Sequence, residues 1–195
     1  MIAKLLVAFS CLLCCQGQET VPVKVVKGIP FVATATTESV QTLADGNRVV
    51  QKNSASIARD SEGRTRREQG TIVYLQDPVE GMAYMIDSHA QTVRRIPIRL
   101  SEAAPAPQEA VALGSKLASG FVAEGSRLKK TIAPSQLGNE RGFEIISESW
   151  FSQQLQMIIE HRNIDPRRGT MEYRLTGIQL REPDAELFRV PKDKE

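Results

Sequence analysis

From Phe31 onward apolar and polar positions alternate, and short clusters of Asp, Gly, Asn and Pro interrupt the alternation. The corners are Asp45-Gly46-Asn47, Asp60-Ser61-Glu62-Gly63, Asp77-Pro78-Val79-Glu80-Gly81 and Asp165-Pro166-Arg167-Arg168-Gly169. In each, an Asp side chain can cap its own turn and a glycine can take positive φ. Residues 31–43, 48–59 and 64–75 read as strands between these corners. Met82, Tyr84 and Ile86 then alternate with Ala83, Met85 and Asp87, and 93–98 follows as another strand. Further on, Phe143, Ile145, Met157, Ile159, Met171, Tyr173 and Leu175 recur at period two. Their neighbours are largely Glu, Gln and Arg, as in antiparallel strands with one buried face.

Three places break this rhythm. At Gly177 the apolar phase shifts, since Ile178 and Leu180 fall on the other parity, which predicts a bulge. Residues 101–125 open on Ala-Pro-Ala-Pro and continue through Gln108-Glu109-Ala110-Val111-Ala112-Leu113. They predict a Pro/Ala-rich loop with one short helix. Residues 183–188 predict a turn or single helical turn that tucks Leu187 and Phe188 onto the sheet, followed by a charged tail. Trp150 and Phe151 are adjacent, so on a strand they point to opposite faces. The expected fold is mainly β: one domain, residues 18–195, an antiparallel meander with one or two short helices.

The N-terminus is not fold material. Lys4 precedes an apolar run from Leu5 to Cys15 broken only by Ser10, and Gln16-Gly17-Gln18-Glu19 follows. This order predicts a secretory signal peptide over residues 1–17, too short to span a bilayer as a helix. All three cysteines, Cys11, Cys14 and Cys15, lie within it. The exported part then has no disulfide, thiolate nucleophile or cysteine metal site. Lipidation at Cys15 is an alternative: Leu12 suits such a signal, whereas Cys14 stands where a small residue is expected. The expected location is the periplasm, with outer-membrane association or secretion as alternatives. No transmembrane span is expected.

The formal net charge of +2 gives no reason to expect a nucleic-acid partner. Candidate chemistry is thin. Asp87-Ser88-His89 holds three triad residue types, but chain neighbours on a tight turn point apart rather than converge. Ser126-Arg127-Leu128-Lys129 spells Ser-x-x-Lys, yet reads as strand and lacks the companion motifs of the enzymes that use it. No metal or cofactor site is expected, and the chain reads as a non-enzyme. Arginine is dense around the second hairpin. Arg59, Arg64, Arg66 and Arg67 predict either a solvated face or a surface for an anionic partner.

The wording of the C-terminus resembles a known family. Tyr173-Arg174-Leu175-Thr176-Gly177-Ile178 followed by Leu187-Phe188-Arg189-Val190-Pro191, on an exported antiparallel meander, is similar to the periplasmic lipoprotein-carrier (outer-membrane lipoprotein-sorting) superfamily. The resemblance implies a strongly curved half-open barrel. Its open side would be covered by helices, over an apolar cavity for acyl chains. With the apolar face, it implies a non-catalytic envelope protein that binds a lipid or lipidated protein. The candidate contacts are Met82, Tyr84, Phe143, Ile145, Met157, Ile159, Met171 and Tyr173, taken from the period-two pattern. The alternative function is an envelope scaffold using the arginine-rich outer surface.

Overall fold

The structure is a computed structural model that describes residues 21–100 and 109–191. The signal peptide expected over 1–17 and most of the charged tail lie outside the described residues. One twelve-stranded sheet dominates: β1 (Val21–Val23), β2 (Phe31–Thr42), β3 (Arg48–Arg59), β4 (Thr65–Gln69), β5 (Ile72–Asp77), β6 (Met82–Asp87), β7 (Thr92–Leu100), β8 (Val111–Ala118), β9 (Phe121–Ile132), β10 (Phe143–Ser152), β11 (Met157–Asp165) and β12 (Gly169–Gln179). The spatial order is β1-β7-β6-β5-β4-β3-β2-β12-β11-β10-β9-β8. All pairings are antiparallel except the short β1–β7 ladder. The sheet is one half-open unit, with β1 and β8 at its edges.

The acidic corners work as their residue types dictate. The Asp45 carboxylate accepts from the Asn47 amide, that of Asp77 from Val79 and Glu80, that of Asp87 from His89 and Ala90, and that of Asp165 from Arg167. The ladder between β12 and β2 shifts register between Thr176 and Gln179, and Gly177 sits there at φ +61°. This is the bulge that the change of phase foretold.

Two expectations need correction. Residues 64–75 form two strands, because Gly70 takes φ +59° and turns the chain between Gln69 and Ile72. No Asp marks that corner, so its signal is weak in the sequence. Of the loop and helix expected across 101–125, residues 101–108 lie outside the described residues, and the rest gives way: β8 begins at Val111 and pairs with β9 around Ser119-Gly120. The Glu, Ala and Leu there are good helix formers, but a neighbouring strand offers a ladder, and tertiary context overrides propensity.

Covalent connectivity explains the curvature. Ten strand-to-strand steps separate β7 from β8, so a flat sheet would hold them about 48 Å apart. The chain from Leu100 to Val111 can reach at most about 40 Å. The sheet must therefore curl. The half containing β8 to β11 folds towards β2, β3 and β12: the Ser119 hydroxyl donates to the Leu175 carbonyl, and Arg59 reaches from β3 to the Leu155 carbonyl in the β10–β11 turn at 2.7 Å. The side enclosed by this curl is called the concave face below.

The two ends of the sheet bury opposite faces. Phe31, Ala33, Ala35, Ala55, Leu155, Ile159 and Leu175 form a core cluster on the concave face. Ala58, Val73, Leu75, Tyr84, Ile86 and Phe188 form a second cluster. Val32 packs against the second cluster while its neighbours Phe31 and Ala33 belong to the first, so the second lies on the convex face. The register agrees: Val32, Ala58, Arg66, Leu75 and Tyr84 form one cross-strand row, and Ala33, Ile57, Arg67, Tyr74 and Met85 form the row of opposite facing. The convex cluster is covered by a 3-10 turn, Ala185–Phe188, which the Asp184 side chain caps. Leu187 and Phe188 pack there as expected, but helical cover lies on the convex side rather than over the opening. Among the described residues this is the one helical element, and none is long and apolar enough to cross a membrane.

Candidate functional site

On the concave face, beyond the end of the core cluster, Thr37, Ile57, Arg67, His161, Met171 and Tyr173 line a groove of about 500 Å³. Pairing places them there. Tyr173 on β12 lies between Thr37 of β2 and His161 of β11, Met171 is two residues away on the same face, and Ile57 of β3 pairs with Arg67 of β4. The His161 ring holds its place through a 3.0 Å bond between Nδ1 and the Ser149 hydroxyl, its direct neighbour on β10. Burial raises the Tyr173 phenol above the usual range, and the nearby Arg67 charge pulls it the other way. Further along β2 lies a smaller depression of about 170 Å³, lined by Ser39, Gln41, Val49, Gln51 and Arg168.

The other large cavity, about 560 Å³, lies across the convex side of β2, β3 and β12 and is polar. Its charges satisfy one another: Lys52 pairs with Glu38 at 2.9 Å, and Arg174 with Glu172 at 3.4 Å. It reads as a solvated face.

The candidate contacts read from the sequence divide. Met171 and Tyr173 line the groove. Phe143 and Ile145 share a facing with Ser149 further along β10, and the Arg167 guanidinium lies 5.3 Å from the Phe143 ring centre. Met157 packs against the concave core and Ile159 is wholly enclosed in it, so Ile159 offers nothing to a ligand. Met82 and Tyr84 are on the wrong side of the sheet for this groove, within the convex cluster. Burial and a 2.6 Å bond donated to Glu80 push the Tyr84 phenol up to about 12. Period two assigns each residue a facing but does not say which facing is enclosed at each end.

The arginine surface is also corrected. Arg59 is 4% exposed. It donates to the carbonyls of Ile29 and Leu155 at 3.0 and 2.7 Å and stacks over Phe31 at 4.9 Å. Arg64 is bound to Asp60 at 2.5 Å and lies over Phe188, and Arg66 donates to the Leu187 carbonyl and to Glu68. Three of the four thus fasten the C-terminal segment or the concave core. Arg67 alone reaches the groove, so no arginine-rich outer patch forms from the four. Arg67 and Met171 belong to one site, which sequence reasoning missed because they come from strands far apart in the chain.

Among the described residues the two catalytic spellings read from the sequence do not assemble. Asp87, Ser88 and His89 form the exposed β6–β7 turn, and the Ser88 hydroxyl donates to the Thr71 carbonyl. Ser126 and Lys129 lie three apart on β9 and so point to opposite faces. The Ser149–His161 pair is joined by no carboxylate among the described residues, which leaves it short of a triad. Among the described residues no three His, Cys, Asp or Glu side chains gather as a metal site.

No protein-family model and no curated protein matches this sequence. Similar solved structures exist. An uncharacterized conserved protein from Thermus thermophilus aligns with 14% identity and a TM-score of 0.53, over 85% of this chain and 87% of that one. The MucA/MucB complex of Pseudomonas aeruginosa aligns with 10% identity and a TM-score of 0.46, over 85% of this chain; the match spans only 56% of that chain. A LolA superfamily protein from Nitrosomonas europaea aligns with 9% identity and a TM-score of 0.28, over 83% and 90% of the two chains. The first likeness shows a shared fold.

Proposed function

We propose that this is an exported, non-catalytic envelope protein that shelters an acyl chain of a lipid or lipidated protein in the concave groove. The periplasm is its expected place of work. The observation that carries this reading is the state of the concave face. Along β2, β11 and β12 that face is packed with Phe31, Ala33, Ile159 and Leu175, and the packing thins at its margin, where Ile57 and Tyr173 are only partly buried. Met171 continues the same face and remains 36% exposed, so with Ile57 and Tyr173 it leaves an apolar wall open to the groove. Enclosing a chain there would remove apolar surface from water at about 25 cal/mol per Å².

The test is native mass spectrometry of the protein purified from the envelope without detergent exchange, followed by lipid extraction. A bound species of acyl-chain mass is expected. Met171→Asp, which places a charge on the exposed part of the groove wall, should lose that species while keeping the melting temperature within a few degrees. A wild-type protein that carries no acyl species, and takes none up from added lipid, would reject the reading.

A further inference from the structure

Arg67 is a cation without a counter-charge. Its guanidinium donates one hydrogen bond, to Gln69 Oε1 at 2.8 Å, and meets no carboxylate among the described residues. Neighbouring Arg66 and Arg64 each hold one. Arg67 lies in the row Ala33-Ile57-Arg67-Tyr74-Met85 on the concave face, beside the Tyr173 ring that its field reaches. Arg67 is exposed at the edge of the groove beside Ile57, Met171 and Tyr173, so its guanidinium is accessible to a ligand seated there. It is well suited to an oxyanion, which its planar fork can hold through two parallel hydrogen bonds.

We infer that the groove is selective for an anionic amphiphile. Ile57, Met171 and Tyr173 take the acyl chain, and Arg67 pairs with the phosphate or carboxylate at its head. This rests on the acyl-binding reading above and adds the charge of the ligand.

Titration calorimetry of the purified chain with two probes of equal chain length, below their micellar concentrations, tests it. Oleoyl lysophosphatidate carries the oxyanion and monooleoylglycerol does not. Glycerol 3-phosphate supplies the head alone. The lysophosphatidate should bind on the order of tenfold tighter than the monoacylglycerol, the gain of one charge-assisted contact. Arg67→Gln should abolish that difference while leaving the monoacylglycerol unchanged, and Arg67→Lys should restore part of it. Arg174→Gln removes the same charge from the convex side and should change nothing. Equal binding of the two oleoyl probes would overturn the anion assignment and leave the acyl reading standing. A loss at Arg168→Gln in place of Arg67→Gln would overturn the choice of anchor. Glycerol 3-phosphate binding as tightly as lysophosphatidate would overturn the amphiphile, and binding of none of the three would remove the acyl reading with it.

Discussion

Arg59 shows how a charge can belong to a core. One guanidinium ties β3 to the carbonyl of Ile29, which precedes β2, and to the carbonyl of Leu155 in the β10–β11 turn. Desolvation lowers its pKa, and the two carbonyls with the Phe31 ring offset that cost. Arg59→Met keeps the volume but leaves both carbonyls unsatisfied. It should cost about 3 kcal/mol in urea unfolding, and a loss below about 1 kcal/mol would deny the clasp its role. Asp165 is the pH-sensitive counterpart. Its hydrogen bonds from the Arg167 side chain hold its carboxyl at about 2, against an ordinary 3.8. The folded value is depressed, so the stabilisation is fully present above 3.8 and is lost as pH falls towards 2. Wild type should melt above Asp165→Asn by a constant margin near neutral pH, and the gap should close as pH falls from about 4 to about 2. A gap that persists unchanged at the acid end would contradict this.

Among the strands, the ladder of β10 with β11 carries the decisive irregularity, and Ile159 of β11 is its unpaired residue. The register shifts between Trp150 and Phe151. Ser149 opposes His161, odd with odd, whereas Ser152 opposes Met157, even with odd. Trp150 packs against the concave core, and Lys116 sits 4.1 Å over its ring. Gly125 opposite leaves the room, since an added Cβ would lie 2.6 Å from the Trp150 ring. Gly125→Ala must displace the indole and should cost roughly 1–3 kcal/mol. Trp150 is the single tryptophan of the chain, so its emission reports the displacement directly. Unaltered emission with unaltered stability would mean that the contact is slack. The adjacent aromatics are legible as a point where two faces matter; the bulge is not, because nothing at Ile159 marks it.

For the whole molecule, the curl and the two opposed cores belong together. A sheet that buries one face throughout needs a second layer of full width. Here β8 to β11 supply that layer for part of the concave face, and a single 3-10 turn supplies it for β3 to β6 on the convex face. Phe188 is therefore the keystone of one half only. Phe188→Ala should cost the half it covers about 3–5 kcal/mol. Hydrogen exchange should then quicken first in β5 and β6, with β11 and β12 following. Uniform acceleration through both halves would show one cooperative core instead of two. The clasp at Arg59, and the bond from Gly28 to the Ser61 carbonyl, fasten the end of the concave face near the β10–β11 turn. The groove lies towards the other end, where Arg168 and Val49 stand.

Alternation, turn chemistry and the Leu187-Phe188 tuck are local properties, written in side-chain period and in which residues tolerate a corner. They made the antiparallel sheet, most of its strands and the Gly177 bulge readable in advance. Enclosure is not local. Whether an alternating strand hides its odd or its even positions depends on which distant element lies over it. That is why Tyr84 and Ile159 passed for ligand contacts, and Arg59 for surface. The groove exists because strands from both ends of the chain become neighbours at β2 and β12, and no stretch of residues holds that information alone.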